Sequence, residues 1–168
     1  GIKLTSMPFV VRSVAQALRY HPTINAALDM DVNEIVYKQY VNVGVAVDTE
    51  RGLVVPVIRN ADTLGIPQVA REIVHFAEKS RDGKLGMDDM RGGTFTISNL
   101  GAIGGTYSTP VINVPEVAIL LVGRSREMPV VKDGEVKIRL MMPLSLSYDH
   151  RLVDGAAAAR FLNDVKGY

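Results

Sequence analysis

The sequence contains no cysteine among its 168 residues. This absence excludes disulfides, thiolate metal sites and a cysteine nucleophile, and it is compatible with a reducing compartment. No apolar run approaches the roughly 20 residues needed to span a bilayer. The net charge of +1 lacks the basic bias that is typical of nucleic-acid binding. We therefore expect no membrane partner and no nucleic-acid partner.

Several signatures of known chemistry are also missing. There is no P-loop and no G-x-G-x-x-G dinucleotide fingerprint, and no G-x-S-x-G motif of serine hydrolases. The three histidines, at 21, 75 and 150, stand in no metal-ligand spacing, so we assign no metal. We expect His21 to contact the last carbonyls of the helix that it ends, and His75 to be half-exposed on a helix.

The residues that are present describe one globular domain. Hydrophobic residues make up 47% of the chain and charged residues 22%, which suits a single core of ordinary size. Hydrophobic periodicity and turn residues predict helices at 5–20, 66–81 and 154–166, strands at 40–48, 53–58, 94–98, 117–122 and 136–148, turns at 49–52 and 130–134, and short extended structure at 25–37. Adjacent strands with helices between them indicate an α/β fold with a mixed sheet rather than a doubly wound parallel sheet.

His150 is the first candidate for catalysis. It lies between a predicted strand and a predicted helix, where a rigid element could present a general base whose unperturbed pKa is about 6.5. Asp154 follows four residues later and could cap the helix and fix the turn. The alternative is a solvated histidine in a charged turn with Asp154 as a plain N-cap, and spacing alone favours this alternative modestly.

The glycine-rich segment 92–101 is the second candidate. Ser98 ends a predicted strand within it, and a hydroxyl there could donate a hydrogen bond to an oxyanion. The loop could also cradle a phosphate. The alternative is a structural glycine turn with Ser98 as an ordinary strand-end hydroxyl, and it leads slightly when the segment is considered alone.

Three segments occur in an order that is far more specific than either candidate. They are GGTFTISNLGAIGGT at 92–106, PEVAIL at 115–120 and SLSYDHRLVDGA at 145–156, and the segments 1–9 and 48–56 fit the same pattern. Together they closely resemble the catalytic domain of the dihydrolipoyl acyltransferases, the core component of 2-oxo acid dehydrogenase complexes. The resemblance covers essentially the whole chain. It implies a chloramphenicol-acetyltransferase-like two-layer α/β sandwich and acyl transfer between dihydrolipoamide and coenzyme A.

The resemblance also implies roles for individual residues. His150 would be the general base that deprotonates the attacking thiol, and Ser98 would donate its hydroxyl to the tetrahedral oxyanion. Asp154 would match the family's acidic partner, in an orienting or structural role. Coenzyme A contacts would map onto Thr5, Asp48, Ser98, Asn99, Gly123 and Ser125.

Assembly and partners follow from the same resemblance. The family is at least trimeric, with larger symmetric cores, and Ser98 and His150 would come from neighbouring chains. The chain starts at Gly1 without methionine, so we expect a catalytic domain at 1–168 that is truncated at both ends and defective in higher assembly. Lipoyl and peripheral-subunit-binding domains, with the lipoyl group and contacts to the decarboxylase and dihydrolipoamide dehydrogenase components, would lie outside it. We expect a cytoplasmic location, or the mitochondrial matrix in a eukaryote.

Two other functions remain open from the sequence. One is a non-catalytic or assembly-defective structural core fragment of the same complex, and the other is an acetyltransferase of the same fold that acts on a small hydroxyl substrate. Intact His150 and Ser98 argue against the first, and the near-complete match to the acyltransferase segments argues against the second. The acyl group (acetyl, succinyl or branched-chain) is not determined by these motifs.

Overall fold

A computed structural model describes residues 4–50 and 52–168. Residues 1–3, which open the amino-terminal motif, and residue 51, inside the predicted 49–52 turn, lie outside this description. The α-helices are α1 Met7–Leu18, α2 Ile66–Arg81 and α3 Gly155–Gly167. The strands are β1 Ala26–Asp29, β2 Glu34–Tyr37, β3 Val43–Thr49, β4 Gly52–Val54, β5 Val57–Ile58, β6 Phe95–Asn99, β7 Ala118–Val122, β8 Arg126–Lys132, β9 Glu135–Met141 and β10 Leu144–Tyr148.

The main sheet is mixed, as predicted. Its strand order is β10-β7-β6-β3-β4, and β5 also pairs with β3. The central strands β3, β6 and β7 are parallel, whereas β10, β4 and β5 run antiparallel to their neighbours. The hairpins β1–β2 and β8–β9 form separate two-stranded sheets.

The three helices begin and end close to the predicted positions. Pro8 lies in the first turn of α1, where its missing N–H costs nothing. The carboxylate of Asp154 accepts a hydrogen bond from the Ala157 N–H at 2.7 Å and caps α3. Ser6 stands at the N-cap position of α1, but its hydroxyl makes no capping hydrogen bond.

The core lies between the helices and one face of the sheet. Val11 and Val14 of α1 are fully buried, and so are Phe95 of β6, Leu120 of β7 and Phe161 of α3. The rings of Phe95 and Phe161 lie 5.5 Å apart, so the sheet contacts α3 directly. This packing anchors the start of β6, three residues before Ser98.

The predicted strand at 136–148 is wrong as a single element. It is divided between β9, which pairs only with β8, and β10, which pairs with β7 in the main sheet. Pro143 falls between them and has no N–H to donate to a ladder. The predicted 130–134 turn is shorter, because Asp133 and Gly134 both have positive φ and close a two-residue hairpin loop.

Two other predicted segments gain detail. The 53–58 strand is interrupted at Val55 and Pro56, which separates β4 from β5, although both pair with β3 as the predicted hairpin requires. The extended structure at 25–37 is the β1–β2 hairpin, which an isolated bridge between Ala27 and Glu116 joins to the segment just before β7.

Candidate active site

Most of the candidate residues gather where β3, β6 and β7 end, and we call this side of the sheet the Ser98 edge. Ser98 lies beside Ala46 of β3 and Leu121 of β7. Asp48 follows two residues after Ala46, Asn99 follows Ser98, and Gly123 and Ser125 follow β7. Parallel strands end at the same edge, so this grouping is a direct result of the topology.

Thr5 lies outside these strands, directly before Ser6. It precedes α1, whose first turns line an apolar groove of about 620 Å³ together with Met142 and Leu144. Leu144 pairs with Val122 at the end of β7. The start of α1 is therefore next to the carboxyl ends of the parallel strands.

The Ser98 hydroxyl is half-buried and has no hydrogen-bond partner within residues 4–50 and 52–168. The glycine loop that follows is packed backbone to backbone. A Cβ on Gly101 would meet the Gly123 carbonyl oxygen at 2.9 Å, and a Cβ on Gly123 would meet the Thr106 carbonyl oxygen at 2.1 Å. Close backbone packing therefore accounts for glycine at these two positions.

His150 lies at the opposite side of the sheet, which we call the His150 edge. It is exposed in the turn after β10, and its ring centroid lies 5.8 Å from that of Tyr148. The turn is firmly held, because the Asp149 N–H donates to the Val117 carbonyl at 2.8 Å and the Val153 N–H donates to the Asp149 carbonyl at 2.9 Å. Val153 is fully buried and anchors the far end.

The carboxylates beside His150 both have partners of their own. The Asp149 carboxylate accepts from the Arg151 guanidinium, with Nε 3.0 Å from Oδ1, and this hydrogen bond holds the pKa of Asp149 below its usual value. The backbone N–H of Ala157, and to a smaller degree that of Ala156, keeps the pKa of Asp154 low in the same way. Asp154 is thus the N-cap that the sequence predicted, and the described structure shows no hydrogen bond between it and His150.

Ser98 and His150 of one chain do not meet. Ser98 pairs with Leu121, and Leu121 pairs with Ser145 two strands away, about 10 Å across the sheet. Tyr148 is three residues, about 10 Å, further along β10, and His150 lies beyond it. Within one chain the hydroxyl and the imidazole therefore cannot act on the same atom.

Glu116 is a titratable group that the sequence analysis did not single out. It is only 7% exposed, and its carboxyl accepts from the Thr96 hydroxyl at 2.6 Å and from the Asn113 side-chain N–H at 3.3 Å. Burial raises the pKa of Glu116 to about 7, against the opposing effect of these two hydrogen bonds. The sequence offered one signal for this group: Glu116 is a carboxylate directly before the apolar run 117–122, which is long enough to be a buried strand.

The remaining histidines have other surroundings. His21 does not bind the helix-end carbonyls through its ring, because α1 packs against α3 and places Nε2 2.7 Å from an Asp164 carboxylate oxygen. His75 is exposed on α2. Among the described residues, no group of three or more metal-ligating side chains converges, and no described helix has the length and apolar character to cross a bilayer.

Comparison with known proteins agrees with this geometry. A family model described as 2-oxoacid dehydrogenases acyltransferase (catalytic domain) matches residues 1–168. The acetyltransferase component of the Staphylococcus aureus pyruvate dehydrogenase complex is 49% identical over 166 residues, which are 99% of this chain and 39% of that protein. This chain therefore spans about two fifths of that relative's length.

Solved structures give the same result. The Azotobacter vinelandii dihydrolipoamide acetyltransferase superposes with a TM-score of 0.94 at 49% identity, covering 99% of this chain and 69% of that one. The cubic core of a pyruvate dehydrogenase multienzyme complex matches with the same figures. A chloramphenicol acetyltransferase at 17% identity, with a TM-score of 0.61 over 97% of this chain and 77% of that one, confirms the predicted fold. The chain belongs to the family of 2-oxoacid dehydrogenase acyltransferase catalytic domains.

Proposed function

We propose that this domain transfers an acyl group between dihydrolipoamide and coenzyme A, with Ser98 of one chain and His150 of a neighbouring chain forming each site. The observation that carries the proposal is the position of the two residues at opposite edges of the sheet, each in its own firmly held backbone. An assembly that places the Ser98 edge of one copy against the His150 edge of the next would complete the pair.

The spacing of the candidate residues supports this assignment. Work on the Azotobacter vinelandii enzyme addresses a serine, a histidine and an asparagine in its catalytic mechanism, spaced 52 and 4 residues apart. Ser98, His150 and Asp154 have the same two spacings here. Asp154 replaces the asparagine, and both residue types can cap a helix.

The proposed chemistry needs one base and one hydrogen-bond donor. A neutral imidazole of His150 takes the proton from the attacking thiol, whose ordinary pKa of about 8.5 is within reach of a histidine. The thiolate attacks the thioester carbonyl, and the Ser98 hydroxyl donates to the oxyanion that forms. Collapse breaks the other carbon–sulfur bond, and the imidazolium returns its proton to the departing thiolate. No acyl-enzyme is formed.

We assign the coenzyme A side to the Ser98 edge, with contacts at Thr5, Asp48, Ser98, Asn99, Gly123 and Ser125. Asp48, Ser98 and Asn99 lie towards the ends of β3 and β6, and Gly123 and Ser125 follow β7. Thr5 directly precedes the start of α1, which lies next to these strand ends. Arg124 and Arg126 flank Ser125 and supply the cations that phosphate groups favour. The dithiol acceptor would then enter from the His150 edge.

The proposal extends to the assembly. A homotrimer or a larger symmetric core is supported by the family and by the match to a cubic core. The lipoyl group and the decarboxylase and dihydrolipoamide dehydrogenase components would engage through other domains of the full-length protein. The bacterial origin of the relatives supports a cytoplasmic location.

Mixing two inactive variants tests the proposed function. Ser98→Ala and His150→Ala are dissociated, mixed in equal amounts and reassociated, and transfer from acetyl-coenzyme A to dihydrolipoamide is measured. Random assembly would leave about one quarter of the sites with both wild-type residues, so activity should return to about that fraction while each variant alone stays inactive. A mixture as inactive as its components would overturn the intersubunit site. A wild-type protein that transfers no acyl group would favour the structural-core alternative.

A further inference from the structure

The aromatic ring of Tyr148 lies beside the imidazole of His150. The two ring centroids are 5.8 Å apart and the ring planes are inclined at 40° to each other. This separation falls within the range of roughly 4.5 to 7 Å over which neighbouring aromatic rings attract one another. The Tyr148 ring is therefore close enough to favour one orientation of the imidazole.

Hydrogen bonds do not hold the imidazole within the part of the chain that the structure describes. The Asp149 carboxylate accepts from the Arg151 guanidinium, and the Asp154 carboxylate accepts from the Ala157 N–H. An exposed histidine in a turn can populate several staggered side-chain conformations. The backbone of the turn is firmly held, so the orientation of the ring is the freedom that remains.

The Tyr148 ring is itself well positioned to restrict this freedom. Tyr148 ends β10, where it pairs with the fully buried Ala118, and its half-buried side chain packs against the hydrophobic core. Its phenol oxygen lies 3.6 Å from the place that a Cβ on Gly155 would occupy. The ring therefore extends from the last residue of β10 towards the first residue of α3, and these two elements enclose the turn that carries His150.

The phenol hydroxyl of Tyr148 has no hydrogen-bond partner within residues 4–50 and 52–168. Its contribution to this contact is therefore assigned to the aromatic ring rather than to the oxygen. Phenylalanine would present the same ring from the same position on β10.

We propose that Tyr148 is a positioning residue for acyl transfer, whose ring holds the His150 imidazole in the orientation in which it takes the proton from the thiol. The inference rests on the proposed function, because Tyr148 acts only through His150. Proton transfer requires the base to lie within hydrogen-bond reach of the proton that it removes. An imidazole that spends part of its time in other orientations is a base for only part of the time.

Replacing the ring in the full-length protein tests the inference by steady-state transfer from acetyl-coenzyme A to dihydrolipoamide. Tyr148→Leu should lower kcat about 2- to 10-fold, as expected for the loss of one aromatic pair. The KM values of both substrates should stay unchanged, because the variant removes no proposed substrate contact. Tyr148→Phe keeps the ring and should keep the wild-type kcat. A Tyr148→Phe protein as slow as Tyr148→Leu would contradict a role of the ring.

The matched control for lost packing is Leu146→Ala. Leu146 is also half-buried on β10 and packs against the same core, but it makes no described contact with His150. This variant should unfold at a lower temperature and keep its kcat when it is assayed while folded. Should Tyr148→Leu fail to fold, Tyr148→Met replaces it, because the unbranched methionine side chain adapts to the space of the ring.

A double variant separates an effect through His150 from an independent effect. In the His150→Ala background, Tyr148→Leu should cause no further loss of the residual rate, because there is no imidazole left to orient. A further loss by the same factor as in the wild-type background would overturn the inference.

The same set of variants distinguishes this inference from the proposed function. An inactive His150→Ala protein together with a Tyr148→Leu protein of wild-type kcat would remove the role of Tyr148 and leave the proposed function standing. A His150→Ala protein with wild-type activity would remove both, since Tyr148 would then have no base to position.

Discussion

The Asp149 N–H donates to the Val117 carbonyl at 2.8 Å and so ties the turn that carries His150 to the start of the most buried strand of the sheet. All five residues of β7 are buried. The imidazole is therefore presented on a rigid support although its own side chain is exposed. General-base catalysis depends on such positioning.

His150→Ala should abolish most of the activity without unfolding the domain. Loss of a general base lowers turnover by about 10² to 10⁴, whereas removal of an exposed side chain changes the free energy of unfolding little. Steady-state acyl transfer and thermal unfolding of the same preparation measure both quantities. Near-normal turnover would exclude the imidazole from the mechanism.

Asp154 should contribute mainly to the stability of the fold. Asp154→Ala removes the hydrogen bond to the Ala157 N–H and should lower the free energy of unfolding, because α3 loses its N-cap. Asp154→Asn keeps a capping oxygen and should be close to wild type in the same denaturant titration. Equal destabilisation by both substitutions would show that the charge, rather than the cap, is what matters.

Glu116 should make stability depend on pH between about 4.5 and 7. Its folded pKa of about 7 lies above the ordinary value of 4.5, so its contribution is fully present below pH 4.5 and is lost as the pH rises through 7. The loss is about 3 kcal/mol on this shift. Glu116→Gln should therefore be flatter than the wild type over this range when unfolding is followed at several pH values. Parallel wild-type and variant curves would contradict the raised pKa.

Gly123 should tolerate no side chain. A Cβ there would meet the Thr106 carbonyl oxygen at 2.1 Å and the Pro143 ring at 2.7 Å. We expect Gly123→Ala to lower the free energy of unfolding by about 1 to 3 kcal/mol through overpacking. Gly134→Ala is the matched control for crowding, because a Cβ at Gly134 has open space around it and only its positive φ opposes the change. A Gly123→Ala protein as stable as the wild type would mean that the loop 103–106 can move away.

The sequence was sufficient for the helices and for the mixed character of the sheet. The apolar periodicity of α2 and the capping Asp154 are local signals, and the structure confirms both. The division at Pro143 was missed because the residues on either side are equally apolar, and only the pairing of β9 with β8 separates them.

The residue types of the candidate site could be predicted from the sequence, but the positions of these residues relative to one another could not. Nothing local to Ser98 or His150 reveals that β10 runs antiparallel to β7, and that single fact puts them at opposite edges. Glu116 was missed for a related reason, since its raised pKa comes from burial, and Thr96 of β6, which contacts its carboxyl, is 20 residues away in the sequence.

The direction of β10 also makes the acyl-transfer activity depend on the protein concentration. Under the proposed function, a newly folded single chain carries one half of each of two sites and completes neither. Its turnover per chain would fall on dilution as the symmetric assembly dissociates, with no change in any side chain. Such a subunit cannot consume thioester substrates before it has assembled with its neighbours.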